Sequence, residues 1–287
     1  MLRRILTAVV LIPIVVLLVM RGPWLLIAAT AALVVLLAMN EFFDLGERMS
    51  LRAYRRWSML SAVGIVFVQW MRGLEIHQSR SDVELIRNAA GPFISFEFVA
   101  IVFVCGVVAI GLASRGAIAD ILPSVAISAA GLLFVAFPLS YLVRIVEFEP
   151  NGRKFVLFTL VLVWAGDMLA YFVGQTFGHV RMAPILSPKK TWEGAAANLA
   201  AALVVATFFA RWVAIDGVTI FAIAAAANIA GQAGDLIESA YKRGAGAKDS
   251  SSLLPGHGGM LDRIDSLIFA APVVWWALVW LQHARLY

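Results

Sequence analysis

The sequence predicts an all-α, polytopic integral membrane protein with about nine transmembrane helices and a cytoplasmic N-terminus. Three observations lead there. The 287 residues are 62% hydrophobic and 14% charged, with a mean hydropathy of +0.88; soluble domains are nearer half apolar and a quarter charged. The excess is gathered into blocks close to the roughly 20 helical residues that cross a hydrocarbon core of about 30 Å. The blocks are unbroken Leu/Val/Ala/Ile runs without alternation. Backbone groups that lipid cannot satisfy are therefore closed within helices rather than between barrel strands.

The blocks fall at 5–20, 23–40, 57–71, 96–113, 121–143, 155–178, 194–213, 217–237 and 266–282. The first, after Met1-Leu2-Arg3-Arg4, is laid out like a signal peptide. No small-residue cleavage site follows it, only Arg21-Gly22-Pro23 and more apolar chain, so it reads as a retained span. The third block is the shortest. Gly, Pro and charged connectors separate the blocks, with no internal repeat and no low-complexity tract. Positive charge sets the orientation. With nine spans, one side holds 14 of the 23 basic residues, among them Arg3, Arg4, Arg55, Arg56, Lys189, Lys190, Lys242, Arg243, Lys248 and Arg263. That side is predicted to be cytoplasmic, and its loops account for the net charge of +5 without nucleic acid. The lone Cys105 excludes an intrachain disulfide and reads as a small buried hydrophobe. Cys105, His77, His179 and His283 have no zinc spacing.

Polar residues concentrate after about 160. The chain therefore divides into an N-terminal transmembrane scaffold, 1–150, whose first four spans carry almost no buried charge, and a C-terminal transmembrane catalytic region, 151–287. Asp167 lies inside the sixth block, with Tyr171 and Gly174 on the same face. A carboxylate there costs several kcal/mol unless paired; it either serves a site or bonds a neighbouring helix. Ser187-Pro188-Lys189-Lys190-Thr191-Trp192-Glu193-Gly194 sets two ammonium groups before a helix starting near Thr191. That arrangement suits a polyphosphate and equally suits lipid headgroups. Asp235, Glu238, Ser239 and Lys242 follow at i, i+3, i+4 and i+7, on one helix face at the membrane edge.

The densest cluster comes next. Lys242, Arg243, Lys248 and Arg263 can neutralise phosphate. Gly256, Gly258 and Gly259, around His257, allow backbone N–H groups to approach an anion. His257 reads as a loop organiser more than a proton-transfer group. Asp262 and Asp265, three apart, are hard oxygen ligands suited to Mg²⁺. Carboxylates, basic groups and a glycine loop make up the equipment of phosphoryl or nucleotidyl transfer. The expected metal ligands are Asp235, Asp262 and Asp265, with Lys242 and Lys248 as further catalytic groups. Ser187, Lys189, Lys190, Arg243, Arg263, the glycine-histidine loop and Asp167 would bind substrate.

Ser239-Ala240-Tyr241-Lys242-Arg243, Lys248-Asp249 and Pro255-Gly256-His257-Gly258-Gly259-Met260-Leu261-Asp262-Arg263-Ile264-Asp265 resemble the signature of the phosphatidate cytidylyltransferase, or CDP-diglyceride synthase, family. The 187–194 octet and the Asp167, Tyr171, Gly174, Gly178 pattern resemble the same family. The resemblance covers about 160–270 strongly and the first half by hydropathy alone. It implies Mg²⁺-dependent transfer of CMP from CTP to phosphatidic acid, giving CDP-diacylglycerol and pyrophosphate for phospholipid synthesis. It also implies a homodimer in the bacterial cytoplasmic (inner) membrane, a site holding paired cations, and Asp235 and Asp262 matching the family's metal-binding acids. Two other readings stay open: a CTP-dependent enzyme for another lipid phosphate or a polyprenol, and a cation-coupled transporter built on Asp167 and Asp235.

Overall fold

A computed structural model describes residues 2–77, 95–114, 117–148, 150–253 and 258–284. The helices are α1 (Leu2–Arg21), α2 (Trp24–Arg48), α3 (Arg55–His77), α4 (Phe96–Ala113), α5 (Ile121–Gly131), α6 (Phe137–Ile145), α7 (Gly152–Phe177), α8 (Trp192–Val213), α9 (Gly217–Gly244) and α10 (Leu261–Ala284). Helices dominate, as expected. The sequence reading missed a short antiparallel hairpin, β1 (Arg181–Ala183) with β2 (Ser187–Thr191).

Seven apolar segments among the described residues are long and apolar enough to cross a membrane: α2, α4, Ile118–Ile145, α7, α8, α9 and α10. Helices α1 and α3 occupy the other two positions expected for spans. Helix α3 carries Arg55, Arg56, Arg72 and Glu75, which dilute its apolar face.

Ile118–Ile145 is one span with an internal irregularity. A π-helical turn, Leu132–Ala136, joins α5 to α6 just before Pro138. Proline lacks an N–H, and its ring would strike the carbonyl of Phe134 in a regular α ladder. The widened turn relieves both problems. Phe134 in that turn meets Tyr241 of α9 at 5.0 Å and Phe269 of α10 at 5.8 Å, and Phe42 of α2 meets Tyr241 at 5.6 Å. One aromatic cluster thus joins four elements.

The tightest assembly lies in the second half, where α7 packs on α8 and α9 on α10. At the α9–α10 crossing, a Cβ on Gly234 would sit 2.7 Å from the Asp265 carbonyl oxygen and 2.8 Å from Phe269. Only glycine permits that approach, which brings the acids of the two helices together. Helix α9 starts from a cap in which Asp216 accepts from Thr219 N at 2.9 Å, a bond that holds this exposed carboxyl below its ordinary range. Its 28 residues extend about 42 Å at 1.5 Å per residue, more than the roughly 30 Å of hydrocarbon. The turns from Asp235 onward therefore reach the membrane edge.

Two expectations need correction. Cys105 is exposed, because α4 is apolar all round and buries only a narrow stripe at Phe103, Val107 and Gly111; the thiol faces outward. The N-terminal helices also do bury charge. Glu41 of α2 is 3% exposed.

Candidate active site

The C-terminal end of α9 and the N-terminal end of α10 bring four acids together. The helical spacing places Asp235, Glu238 and Lys242 on one face of α9, as predicted. Oxygens of Asp235, Glu238 and Asp265 all lie within 4.8 Å of one another. Glu238 is fully buried. One of its oxygens pairs with Lys242, and the other, Oε1, has no hydrogen-bond partner among the described residues. Lys190 of β2 reaches Asp235 Oδ2 at 2.5 Å. Lys242 Nζ also bonds Asp262 Oδ1 at 2.6 Å. Three of the four carboxylates thus pair with two ammonium groups, and like charges brought this close repel, most strongly where they are buried. Three hard oxygen donors converging beside an orphaned buried oxygen fit a divalent cation such as Mg²⁺.

Asp262 is placed differently from the other three. Besides Lys242, it accepts from Ser250 N at 2.9 Å, Ser250 Oγ at 2.9 Å and Gly259 N at 2.7 Å, all at Oδ2. Lying in the first turn of α10, it offers negative charge where helix N–H groups lack partners. The converging trio is therefore Asp235, Glu238 and Asp265, whereas the sequence led to Asp235, Asp262 and Asp265. Gly258 has φ +81°, and a Cβ there would sit 2.7 Å from Asp262 Oδ2; glycine satisfies both constraints. Gly256 and His257 lie outside the described residues.

Lys189, Arg243, Lys248 and Arg263 are exposed. Arg243 donates from Nε to Leu186 O at 3.1 Å and from Nη1 to Ala247 O at 2.9 Å. It pins the hairpin that carries Ser187, Lys189 and Lys190 against the end of α9. Thr191 caps α8 by accepting from Gly194 N at 3.1 Å, matching the predicted helix start. Glu193 accepts from His179 N and Val180 N, both at 3.1 Å, and holds the other end of the hairpin loop.

Asp167 of α7 has a partner. Asn198 Nδ2 of α8 donates to its Oδ1 at 3.3 Å, Asn228 Nδ2 of α9 donates to Asn198 Oδ1 at 2.6 Å, and Gln232 Nε2 donates to Asn228 Oδ1 at 2.7 Å. This chain of amides runs between three helices toward the acids. Asp167 feels the charges of Asp235, Lys190 and Arg263, so it belongs to the same electrostatic site. Beside it, Met168, Tyr171 and Phe172 are exposed on the outer face of α7.

Sequence reasoning missed the amide chain and Glu41. Asn228, Gln232 and Asp235, at i, i+4 and i+7 in an Ala-rich helix, carried a signal for the first. A single acid in the apolar run before Phe42 carried one for the second. Glu41 accepts four hydrogen bonds: from Ser251 Oγ at 2.6 Å and Met260 N at 2.9 Å on Oε1, and from Ser250 Oγ and Leu261 N, both at 2.8 Å, on Oε2.

The sequence profile of the cytidylyltransferase family matches residues 2–281. Among curated relatives, the chain is similar to a phosphatidate cytidylyltransferase of Bacillus subtilis, 37% identical over 148 residues, covering 51% of this chain and 55% of the relative. A Haemophilus influenzae protein of the same name is 47% identical over 128 residues, 42% of this chain and 44% of that protein. One from Thermotoga maritima is 39% identical over 181 residues, 60% of this chain and 66% of that protein. The chain spans about half the length of the first two relatives it matches.

Proposed function

The chain belongs to the cytidylyltransferase family, and from that premise we propose that it transfers CMP from CTP to phosphatidic acid, releasing pyrophosphate and leaving CDP-diacylglycerol. The observation that carries this reading is the convergence of Asp235, Glu238 and Asp265 at the membrane edge, with Lys190 and Lys242 beside them. A phosphate oxygen of phosphatidate attacks the α-phosphorus of CTP. The new P–O bond forms as the bond to pyrophosphate breaks, and the pyrophosphate keeps the electron pair. The nucleophile is already an anion near neutral pH, so no strong base is required. The obstacle is the approach of two polyanions, and charge neutralisation and alignment are what lower it.

Asp235, Glu238 and Asp265 would hold Mg²⁺, which supplies positive charge to the phosphates, with Asp262 adjoining as the resemblance implies. Lys189, Lys248 and Arg263 are placed to meet phosphate oxygens from the water side. Lys242 and Lys190 keep the acids apart and oriented. Asp167 lines the inner end of the site, and the exposed apolar face of α7 beside it suits acyl chains that stay in lipid. The residues of 151–287 would do this chemistry at the cytoplasmic face of the inner membrane, in a nine-span chain with its N-terminus inside that works as a homodimer.

The test is radiolabelled CTP with phosphatidic acid in detergent micelles. Label in the lipid phase, lost in Asp235→Asn, supports the reading. A well-folded protein that leaves all label in the aqueous phase sinks it.

A further inference from the structure

Glu41 lies outside every motif that the reaction uses, on a helix far from the acid cluster in sequence. Each of its oxygens takes one hydroxyl and one backbone N–H. Ser250 and Ser251 supply the hydroxyls, and Met260 and Leu261 supply the N–H groups. Ser250 and Ser251 lie within the connection between α9 and α10, and Met260 and Leu261 lie where α10 begins. One buried carboxylate therefore closes that loop, and among the described residues no Lys or Arg pairs with it. Hydrogen bonds to a charged acceptor are about twice as strong as neutral ones.

The same connection holds Asp262, through Ser250 N, Ser250 Oγ and Gly259 N. Ser250 Oγ sits between Glu41 Oε2 at 2.8 Å and Asp262 Oδ2 at 2.9 Å, and its single proton serves one of them at a time. A Cβ on Gly259 would run into both Ser250 Oγ and the Glu41 carboxylate, so the fit leaves no slack. Asp262 in turn holds Lys242, which pairs with Glu238 of the converging trio. The next residue, Phe42, packs edge-on against Tyr241, the neighbour of Lys242. The path from α2 to the acids is thus a continuous run of contacts.

We propose that Glu41 is a positioning residue of the site: by closing the 250–261 loop it sets Asp262, and through Lys242 the acid cluster. The proposal rests on the cytidylyltransferase reading of that cluster.

Glu41→Gln tests it. A glutamine has one acceptor oxygen, and whichever way it turns, its NH₂ faces the N–H of Met260 or Leu261. The expected result is a fall in kcat of about tenfold or more, since misplacing aligned groups by an ångström can cost about 10²-fold. The KM for CTP should stay within about threefold, because phosphate contacts from Lys189, Lys248 and Arg263 remain. Glu41→Asp, which keeps both acceptor oxygens, should recover part of kcat, and Glu41→Ala should not. Hydrogen exchange at the Met260 and Leu261 amides should rise in Glu41→Gln. Wild-type kcat per folded molecule in Glu41→Gln overturns the proposal, even if yield or melting temperature falls. If Glu41→Gln does not assemble, Ser251→Ala, which removes one of the four donors, is read the same way: a lower kcat at unchanged KM supports the proposal, and unchanged kcat overturns it. A wild-type protein that labels no lipid defeats the reaction reading instead. Exchange at Met260 and Leu261 then still judges Glu41, and unchanged exchange in the variant overturns its role.

Discussion

Replacing Lys242 with methionine removes the buried cation that Glu238 and Asp262 share. The side chains of Lys242, Glu238 and Asp262 are 11%, 0% and 6% exposed, so water cannot take its place. Breaking a buried pair by removing one partner costs about 3–5 kcal/mol, because the remaining charge is stranded. The two carboxylates are not equally stranded. Asp262 keeps three donors, Ser250 N, Ser250 Oγ and Gly259 N. Glu238 keeps none, since Oε1 already lacks a partner. Lys242→Met is therefore expected to lower stability by about 3–5 kcal/mol. Adding Glu238→Gln should restore more than half of that loss, and adding Asp262→Asn much less. The assay is reversible denaturant unfolding in mixed micelles with excess chelator, so that no divalent cation reaches Glu238, read as a double-mutant cycle. A single variant within about 1 kcal/mol of wild type, or equal rescue by Asp262→Asn, would refute the assignment of Glu238 as the carboxylate that depends on Lys242.

Asp235→Asn should lower CMP transfer by about 10²–10³-fold, the usual cost of losing one electrostatic contributor, measured as label entering the lipid phase. Chelation should abolish transfer and Mg²⁺ should restore it; turnover that persists in excess chelator would contradict a metal held by the acid trio. Lys190→Glu should lower kcat, because Lys190 is paired with Asp235, whereas Lys189→Glu should act mainly by raising the KM for CTP; an unchanged KM in Lys189→Glu would remove Lys189 from the phosphate site. Asn228→Leu strands Asn198 Oδ1 and leaves Gln232 Nε2 only its 3.4 Å bond to Ala195 O; it should cost about 1–3 kcal/mol, read as a lower melting temperature.

Local periodicity made much of this legible in the sequence. The 3.6-residue repeat alone puts Asp235, Glu238 and Lys242 on one face, and apolar block length located the helices. What stayed hidden was set by partners distant in sequence. Nothing near Glu41 announces donors 209–220 residues away. The Ser250 bonds to Asp262 were hidden as well, because Ser250 lies 12 residues before it and meets it only when the chain turns back on itself. The hairpin escaped notice because Ser187-Pro188-Lys189-Lys190-Thr191 has no apolar alternation. Its strands are held by pairing and by the Arg243 guanidinium, not by a buried face. Arg243 itself looked like a phosphate ligand, and its two carbonyl partners could not be foreseen from charge alone.

The Glu41 carboxylate also has a history during synthesis. Its first donor, Ser250, is made 209 residues later, which at 5–20 residues per second is roughly 10–40 s of translation. Throughout that interval Glu41 lacks all four of its native donors, because each lies 209 or more residues further along the chain. The last helix then does more than complete the bundle. Its arrival supplies the Met260 and Leu261 N–H groups that complete the Glu41 donors, so a contact of the second helix is among the last that the chain can make.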